Sequence, residues 1–372
     1  MTSKVKIINL EENNNTLKFT INNINVSYVN AIRRTLLSEI PCIVIKTEPH
    51  EENNVNIITN KTRLNNELIK QRISSIPIHI DDIESFPIDD YIVMLNVKND
   101  TNNIIYATSE DFEIKNIKLN KTLSKTEVSK IFPPDPISGD YIDIVRLLPN
   151  LNTDVDLEEI NLESTLTISN AKNNNMFNVV STASYGNSLD LAKIKEEWEI
   201  KEKLLKDKHT SEELDFLKKD WMLLDAKRIF IENSFDFIVE TIGIYSNYKL
   251  LEIAINIIIK KLYVVLDSFK ENNDLIIQSN DTMENTYILI LKNEDYTVGK
   301  IIEYYLHSVY FKEKNELNYI GFLKKHPHDI DSIIKISFKE IIQKDDIILL
   351  IEESVNQSLI ILNDIRNFFK TE

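Results

Sequence analysis

Two adjacent arginines, Arg33 and Arg34, are the side chains of this sequence best suited to hold another molecule. A guanidinium group is planar and carries several N–H donors, so it suits bidentate partners such as carboxylates and phosphates. Charged groups on a helix surface are also commonly just solvated, and then they contribute little. The arginine pair therefore indicates either an ordinary exposed helix edge or a docking edge for an anionic partner.

The arginines lie in the stretch Ser27–Ile40, whose apolar residues follow a helical spacing. Val29, Ile32, Leu36 and Ile40 recur at intervals of three and four, which places them on one face of a helix. Pro41 ends this helix because it has no N–H to donate and disfavours helical geometry in the residue before it. Residues 42–46, CIVIK, predict a short buried strand after the helix.

Two histidines and three aspartates could be considered as metal ligands. His326 and His328 flank a proline, but two histidines with no third ligand nearby favour a simple turn over a zinc site. Asp135, Asp140 and Asp143 could suggest magnesium, but loop carboxylates are more often solvated. We therefore predict no bound metal.

The remaining chemistry-bearing patterns are absent from the sequence. The single cysteine, Cys42, rules out a disulfide within the chain and a cysteine-rich metal site, and it predicts a small buried apolar residue. No P-loop, GxGxxG, HExxH or GxSxG motif occurs. We therefore predict no catalytic residue and no cofactor.

Composition restricts the classes of partner. The 372 residues carry a formal net charge of −16, so the overall field does not favour nucleic acid. The most apolar stretch, residues 250–269, is interrupted by Glu252, Asn256 and two lysines, and is too polar to span a membrane. Residues 1–10 lack a signal-peptide pattern, so we expect an intracellular protein.

Two motifs in the first part of the chain carry a family resemblance. Residues 30–34, Asn-Ala-Ile-Arg-Arg, and residues 60–78 resemble the "ANALRR" and "NTS.L.DE.IAHRL..IPL" motifs of the α-like subunits of multisubunit DNA-dependent RNA polymerases. Asn66 stands where that family usually has Asp, and Gln71 where it often has His. The resemblance implies subunit-docking roles for Asn30, Arg33, Arg34, Glu67 and Arg72.

The last part of the chain is similar to the small α-like partner, the eleventh subunit of RNA polymerase II and its archaeal counterpart. Residues 293–300, NEDYTVGK, correspond to "NEDHTLGN", and Gly321-Phe322 with His326-Pro327 corresponds to "GY…HP". This resemblance adds Glu294, Asp295, Thr297 and Gly299 to the predicted docking residues. The residues up to 272 resemble the larger partner, the third-largest subunit.

The resemblance implies an α+β fold with two α-like dimerisation domains paired within one chain. The first is discontinuous, 1–46 and 176–272, and a mostly β domain, 47–175, is inserted in it. A polar connector, 273–285, leads to the second domain, 286–372. Within the insert, Tyr91–Lys98 and residues 103–109 predict a hairpin, and residues 141–148 and 162–169 predict further strands. Residues 189–206 and 211–225 predict charged helices.

Two long helices, residues 250–269 and 345–369, carry heptad-like apolar seams that predict pairing with each other and a self-paired monomer. Ile253, Ile257 and Ile259 suggest a second apolar side on the first helix. Ile348 and Ser358 belong to the second seam, with Ser358 as its only polar position. The other seam residues are Leu251, Ile255, Ile258, Leu262, Val265 and Phe269, and Ile351, Val355, Leu362, Ile365 and Phe369.

Fusion of both partners is similar to the polymerases of large cytoplasmic DNA viruses. The resemblance implies a non-catalytic assembly platform whose partners are the largest and second-largest polymerase subunits and a small zinc-binding subunit of the tenth or twelfth type. It implies no direct nucleic-acid or membrane binding. The expected location is the virion and host cytoplasm for a viral chain, and otherwise the nucleus or cytoplasm.

Two alternatives stay open at the level of sequence. One is an α+β enzyme with an unrecognised site in the insert. The other is a free-standing adaptor that uses the same fold, with its seam helices open to another protein.

Overall fold

A computed structural model describes residues 4–149, 157–206, 208–279 and 283–370 of the chain. Its contacts divide the chain into two compact units. The first unit comprises Met1–Leu36, Thr182–Glu240 and Asn247–Glu372, and the second comprises Leu37–Ser181 and Thr241–Ser246. The second unit contains the range 47–175, and both predicted α-like parts contribute to the first unit.

The chain is α+β, as predicted. Several helices begin at a side chain that accepts a backbone N–H of the first turn: Asn25 accepts from Ser27 at 2.9 Å, and Asn65 accepts from Leu68 at 2.9 Å. The helices are α1 Val26–Ser38, α2 Asn66–Ser74, α3 Lys125–Ile131, α4 Leu191–Leu205, α5 Ser211–Leu223, α6 Asn247–Glu271, α7 Tyr296–Leu306 and α8 Lys344–Phe369.

The strands form several sheets. They are β1 Lys6–Asn13, β2 Thr16–Asn22, β3 Cys42–Val44, β4 Val55–Asn60, β5 Tyr91–Lys98, β6 Ile105–Thr108, β7 Phe112–Asn116, β8 Lys121–Thr122, β9 Asp143–Leu147, β10 Glu159–Thr165, β11 Thr167–Ser169, β12 Val180–Leu189, β13 Phe230–Thr241, β14 Ile276–Ser279, β15 Thr286–Leu291, β16 Leu317–Leu323 and β17 Ser332–Phe338.

The first unit contains two sheets, each accompanied by a long helix. We call β1, β2, β12, β13, α1 and α6 the N-terminal part of this unit. Its strands form a sheet in the order β1-β2-β13-β12. We call β14, β15, β16, β17, α7 and α8 the C-terminal part. Its strands form an antiparallel sheet in the order β14-β15-β17-β16. The helices α4 and α5 connect β12 to β13 and enclose a small core of Ile194, Trp198, Trp221 and Ala226.

The second unit is built around a sheet in the order β4-β10-β5-β7-β8. Val93 and Leu95 of β5 and Ile160 and Leu162 of β10 are fully buried, and Ile69 of α2 belongs to the same core. Two smaller sheets, β6 with β9 and β3 with β11, complete the unit. Since alternate residues of each central strand are buried, the apolar alternation of the sequence explains this core.

The predicted hairpin of Tyr91–Lys98 with residues 103–109 is wrong. Both edges of β5 are occupied, one by β7 and the other by β10, so β6 pairs with β9 instead. The turn after β5 exists, because the Asn99 amide donates to the carbonyl of Asn103 at 2.9 Å. The same amide donates to the carbonyl of Leu147 in β9 at 3.1 Å, on the strand that β6 joins.

Two further strand predictions need correction. Residues 162–169 are not one strand, because β10 ends at Thr165 and pairs with β4 and β5, while β11 pairs with β3. The predicted connector contains β14, which pairs with β15 and buries Ile276 completely. Residues 280–282 of that connector lie outside the described residues.

Several helices and strands begin or end at residues other than those predicted from the sequence. The helix predicted at 27–40 ends at Ser38, whose carbonyl accepts from Lys172 N at 2.7 Å. The strand predicted at 176–185 begins only at Val180, after a 3₁₀ turn at Asn175–Phe177. The helix predicted at 296–309 ends at Leu306 and continues as a π-helical segment, His307–Glu313. The structure also contains α3, for which Ser124 and Glu127 form a capping box that the sequence analysis missed.

The seam predictions also change in detail. Ile347 of α8 is buried and Ile348 is half-buried, and Ser354 is a second buried polar residue beside Ser358. On α6 the expected second apolar side, Ile253, Ile257 and Ile259, is only half-buried. The buried face is instead widened by Leu250, Ala254 and Leu266. Within the described ranges, no helix combines the length and apolar character that a membrane span requires.

Gly299 in α7 lies directly against the ring of Phe322 in β16, and an added Cβ would overlap that ring. We therefore expect Gly299→Ala to lower the free energy of unfolding by about 1–3 kcal/mol, because a packed core accommodates extra volume only with strain. Gly186→Ala is the matched control, since no atom lies within 4 Å of the added Cβ there. Urea unfolding followed by circular dichroism measures both variants. Equal stability of the two would contradict this packing role.

Candidate pairing and docking surfaces

Arg33 is held along its own helix. Its Nε and Nη2 both donate to Asn30 Oδ1, at 3.1 and 2.9 Å. Both side chains are half-buried. Among the described residues no carboxylate forms an ion pair with Arg33. The guanidinium is thus oriented by Asn30 and keeps donors for an anionic group outside the chain.

Arg34, the next residue, contacts the C-terminal part of the first unit. Its Nε donates to Thr297 Oγ1 at 3.0 Å, and its Nη2 forms an ion pair with Asp295. About a third of the Arg34 side chain is exposed and 27% of the Asp295 side chain. Three of the predicted docking residues therefore contact one another within the chain.

Asp295 also begins α7. Its Oδ1 accepts the N–H of Thr297 at 2.8 Å, so the carboxylate caps the helix and lies at the positive end of its dipole. Burial alone would raise the pKa of Asp295. The hydrogen bonds from the Thr297 N–H and hydroxyl, together with the charges of Arg34 and Lys261, outweigh burial and hold the pKa below its usual value.

Glu294 forms a second charged contact beside the first. Lys261 Nζ of α6 lies 3.4 Å from Glu294 Oε2, and the glutamate is only 7% exposed. Adjacent carboxylates at the start of α7 therefore each meet a cation from the N-terminal part of the first unit. We call this group, comprising Arg34, Lys261, Glu294, Asp295 and Thr297, the charged cluster.

The helices α6 and α8 pack against each other in antiparallel fashion. Lys270 Nζ donates to Glu352 Oε1 at 2.7 Å, and Arg366 Nη1 donates to Asn256 Oδ1 at 3.2 Å. Residues 256 and 270 are 14 positions apart, and residues 352 and 366 are also 14 apart, in the opposite chain direction. The two polar contacts thus flank one continuous helix pair.

The seam residues named from the sequence are buried, except for the half-buried Ile348. On α6 these are Leu251, Ile255, Ile258, Leu262, Val265 and Phe269, and on α8 they are Ile351, Val355, Leu362, Ile365 and Phe369. Phe369 at the end of α8 contacts Phe19 of β2, with ring centroids 5.1 Å apart, and Tyr248 of α6 at 6.0 Å. The C-terminal helix therefore packs on both the helix and the sheet of the N-terminal part.

Ser358, the polar position of the α8 seam, has a specific partner. Its hydroxyl donates to the carbonyl of Ser354 at 2.8 Å, which leaves it to accept from the Tyr28 hydroxyl at 3.0 Å. Burial raises the pKa of Tyr28 to about 12, so this hydroxyl keeps its proton. Tyr28 is not among the residues predicted from the sequence. A polar residue inside an apolar seam was the available signal, since most buried hydroxyls have a hydrogen-bond partner.

A second contact that sequence reasoning missed joins α7 to α8. Tyr305 donates to Glu353 Oε1 at 2.9 Å, and Tyr310 of the π-helical segment donates to Glu353 Oε2. The Tyr310 hydrogen bond, helped by that of Tyr305 and by the charge of Lys314, lowers the pKa of Glu353 although burial acts against it. The irregular helix end thus supplies a hydroxyl that the regular spacing of α7 would not have indicated.

The predicted docking residues of the second unit lie on α2. Glu67 is exposed in the first turn, and Arg72 is exposed and donates to the carbonyl of Asp143 at 2.7 Å. The Asn60 amide donates to the carbonyl of Leu64 and to Asn66 Oδ1, which shapes the turn before α2. Arg72 and Asn60 therefore have local structural roles.

The residues considered as metal ligands have other contacts. Asp135 Oδ1 accepts the N–H groups of Ile137 and Ser138, which holds its loop, and these hydrogen bonds lower its pKa. The rings of His326 and His328 lie 5.1 Å apart at the turn after β16. Cys42 is buried, and burial raises its pKa to about 12. Within the part of the chain that the structure describes, no group of three or more His, Cys, Asp or Glu side chains could hold a metal.

A family model decides the classification. Residues 18–262, from β2 through most of α6, match the RNA polymerase Rpb3/Rpb11 dimerisation domain. The chain belongs to this family. The matched range includes α1 with both arginines and most of the α6 seam, so these elements are the Rpb3/Rpb11-type part of the molecule. The helices α7 and α8 follow after the matched range.

The chain is also similar to curated archaeal proteins. It is 28% identical over 123 residues to the DNA-directed RNA polymerase subunit Rpo3 of Pyrococcus furiosus, covering 31% of this chain and 44% of that protein. It is 27% identical over 113 residues to the Rpo3 subunit of Thermococcus kodakarensis, covering 28% and 41%. The chain thus spans less than half the length of the curated relatives it matches.

The fully buried seam of α6 leads to a stability prediction. We expect Ile258→Ala to lower the free energy of unfolding by about 2–5 kcal/mol, because Ile258 is fully buried where the Rpb3/Rpb11-type helix meets α8. Val264→Ala on the same helix is the control, since that side chain is 57% exposed, and we expect a change within about 0.5 kcal/mol. Urea titration compares them. If both variants lost a similar free energy of unfolding, burial of Ile258 in the seam would not explain its contribution to stability.

The lowered pKa of Asp295 predicts an acid-dependent stability. A carboxyl group whose pKa is lower in the folded state stabilises the fold above its unfolded pKa of about 3.9, and this contribution is lost as the pH falls through the folded value. Asp295→Asn keeps the helix cap but removes the charge. We expect this variant to lose less stability than the parent protein between about pH 5 and about pH 3.

Thermal unfolding at a series of pH values measures that difference. Asp267→Asn serves as the control, because the Asp267 side chain is exposed and has no hydrogen bond or ion pair among the described residues. Parallel pH profiles of Asp295→Asn and the parent protein would show that Asp295 does not supply this pH dependence.

Proposed function

We propose that the chain is an Rpb3-like, non-catalytic subunit of a multisubunit DNA-directed RNA polymerase that serves as its assembly platform. The membership of residues 18–262 in the Rpb3/Rpb11 dimerisation-domain family carries this proposal. The similarity to archaeal Rpo3 subunits also supports it. The proposal extends to the fused arrangement, in which the C-terminal part takes the place of a separate Rpb11-type partner.

Geometry supports the fused arrangement. The N-terminal and C-terminal parts each consist of a sheet with a long apolar helix, and the two helices bury their seams against each other in one compact unit. A partner joined through the same chain is present at an effective concentration of the order of millimolar, so an intramolecular pair is favoured over association with a separate subunit.

Docking of the large subunits is proposed through the edge of α1. Asn30 holds the Arg33 guanidinium in place, and Arg33 has no carboxylate partner within the described residues. The occupant would be a carboxylate of the second-largest subunit, and the largest subunit would dock beside the start of α7. A small zinc-binding subunit of the tenth or twelfth type completes the proposed set of partners.

Affinity purification of the tagged chain from its native source tests the proposal. We expect two large subunits to co-purify, with DNA-templated RNA synthesis in the eluate. Purification from virions and from infected cytoplasm would test the viral setting that the fusion suggests. Recovery of the chain in good yield with other proteins and no polymerase subunit would favour an adaptor, and activity of the isolated chain would favour an enzyme.

A single substitution tests the docking edge. The sequence alone suggests that replacing both arginines weakens assembly and leaves the fold intact, but Arg34 has an ion pair inside the chain, so Arg33→Ala is the cleaner variant. We expect Arg33→Ala to reduce recovery of the second-largest subunit at least several-fold at unchanged thermal stability. Loss of one charge-assisted bidentate contact in an interface costs about 2–5 kcal/mol.

The control for this variant is Arg228→Ala, which removes an arginine whose side chain is 85% exposed. We expect it to leave recovery of the large subunits unchanged. If Arg33→Ala assembles as well as Arg228→Ala does, the docking contact lies elsewhere on the chain.

A further inference from the structure

The two neighbouring arginines of α1 have different tasks in this structure. Arg33 is bonded along its helix to Asn30, whereas Arg34 is bonded to Asp295 and Thr297 at the start of α7. Arg34 and Asp295 are 261 positions apart along the chain. Arg34 therefore belongs to the contact between the N-terminal and C-terminal parts of the first unit.

The charge distribution across this contact is one-sided. The N-terminal part supplies both cations, Arg34 from α1 and Lys261 from α6, and the C-terminal part supplies both anions, Glu294 and Asp295. The anions lie at the beginning of α7, where Asp295 is fixed as the helix cap. A substitute C-terminal part without adjacent carboxylates at that position would deprive the partly buried Arg34 and Lys261 of their ion pairs with Asp295 and Glu294.

The apolar seam cannot provide this selectivity. Burial of Leu, Ile and Phe is favourable for any partner of suitable shape, because the hydrophobic effect is not directional. Discrimination between partners that present similar apolar helices requires features that penalise the wrong one, and unpaired buried charges do so. The charged cluster lies next to the seam and makes its contacts with side chains that are mostly buried.

We propose that the charged cluster is the specificity determinant of pairing, which selects a C-terminal part bearing adjacent carboxylates at a helix start over other apolar partners. Arg34 is a positioning residue for this pairing, and Arg33 is left to contact other proteins. The inference rests on the pairing of the two parts in the proposed function, but it does not require membership of a polymerase.

A charge exchange between Lys261 and Glu294 tests the proposal in the purified full-length chain. We expect Lys261→Glu and Glu294→Lys each to lower the melting temperature by roughly 5–10 °C, since breaking a buried pair is strongly destabilising. The double variant restores the opposite charges, so its melting temperature should return most of the way to that of the parent. Single variants with the melting temperature of the parent would overturn the proposal. So would a double variant whose melting temperature falls by the sum of the two single effects.

Selectivity itself is measured by co-expressing the two single variants with different tags. The N-terminal part of the Lys261→Glu chain has its matching charge only in the C-terminal part of the Glu294→Lys chain. We therefore expect the two tagged chains to co-purify as a complex of twice the chain mass of 43.3 kDa. Two copies of the same single variant should not do so. Absence of the mixed complex, with each single variant destabilised on its own, would refute partner selection by this cluster.

A double-mutant cycle isolates Arg34. Arg34→Met retains the aliphatic stem, and Asp295→Asn retains the helix cap, so each removes mainly charge. We expect the two substitutions together to lower the melting temperature by clearly less than the sum of the single effects, because the pair is lost only once. Purely additive shifts would show that Arg34 acts through other contacts. All these experiments use the isolated chain, so their failure is separate from a failure to recover polymerase subunits.

Discussion

The antiparallel packing of α6 on α8 is the constraint on which the first unit depends. Both helices have broad apolar faces, and each fully buried Leu, Ile or Phe contributes about 1.5–3 kcal/mol relative to exposure to water. Neither face could be left in solvent without a large cost. Once the pair forms, Phe369 reaches the sheet at Phe19, and α1 and α7 are brought together at Arg34 and Asp295.

Apolar packing decides that the helices associate, and polar contacts decide how. A seam of Leu and Ile tolerates a shift along the helix axis, because its partners are chemically similar. The bonds of Lys270 to Glu352 and of Arg366 to Asn256 define one antiparallel register of α6 and α8, and the Tyr28–Ser358 bond positions α8 against α1 inside the core. A shift of α8 would break the Tyr28–Ser358 bond and leave the buried Tyr28 hydroxyl without this partner, which costs about 1–3 kcal/mol, whereas Ser358 would keep its bond to the carbonyl of Ser354.

Periodicity made the long helices predictable, whereas sheet partners required information that local patterns do not contain. The spacing of apolar residues in α1, α6 and α8 predicts these helices and their buried faces, because an apolar repeat near 3.6 residues that continues over several turns is typical of an α-helix. The sequence pattern predicts β5 at its observed bounds but with the wrong partner, because adjacency in sequence favours β6 while β7 and β10 occupy both edges of β5. The strand β14 lies in a segment that the sequence predicts as a polar connector. Its apolar residues are Ile276 and Ile277 alone, which is too short a run to predict a strand.

The candidate docking residues show why residue types alone could not assign roles. Arg33 and Arg34 are adjacent residues of the same type, so the sequence predicts the same docking role for both. On a helix, neighbouring residues are separated by about 100° of rotation, so adjacent side chains necessarily face different surroundings. Here one faces Asn30 and the outside, and the other faces Asp295 at the start of α7. A helix edge that closes the fold with one arginine can therefore present the other to a partner, and the two tasks remain separable by single substitutions.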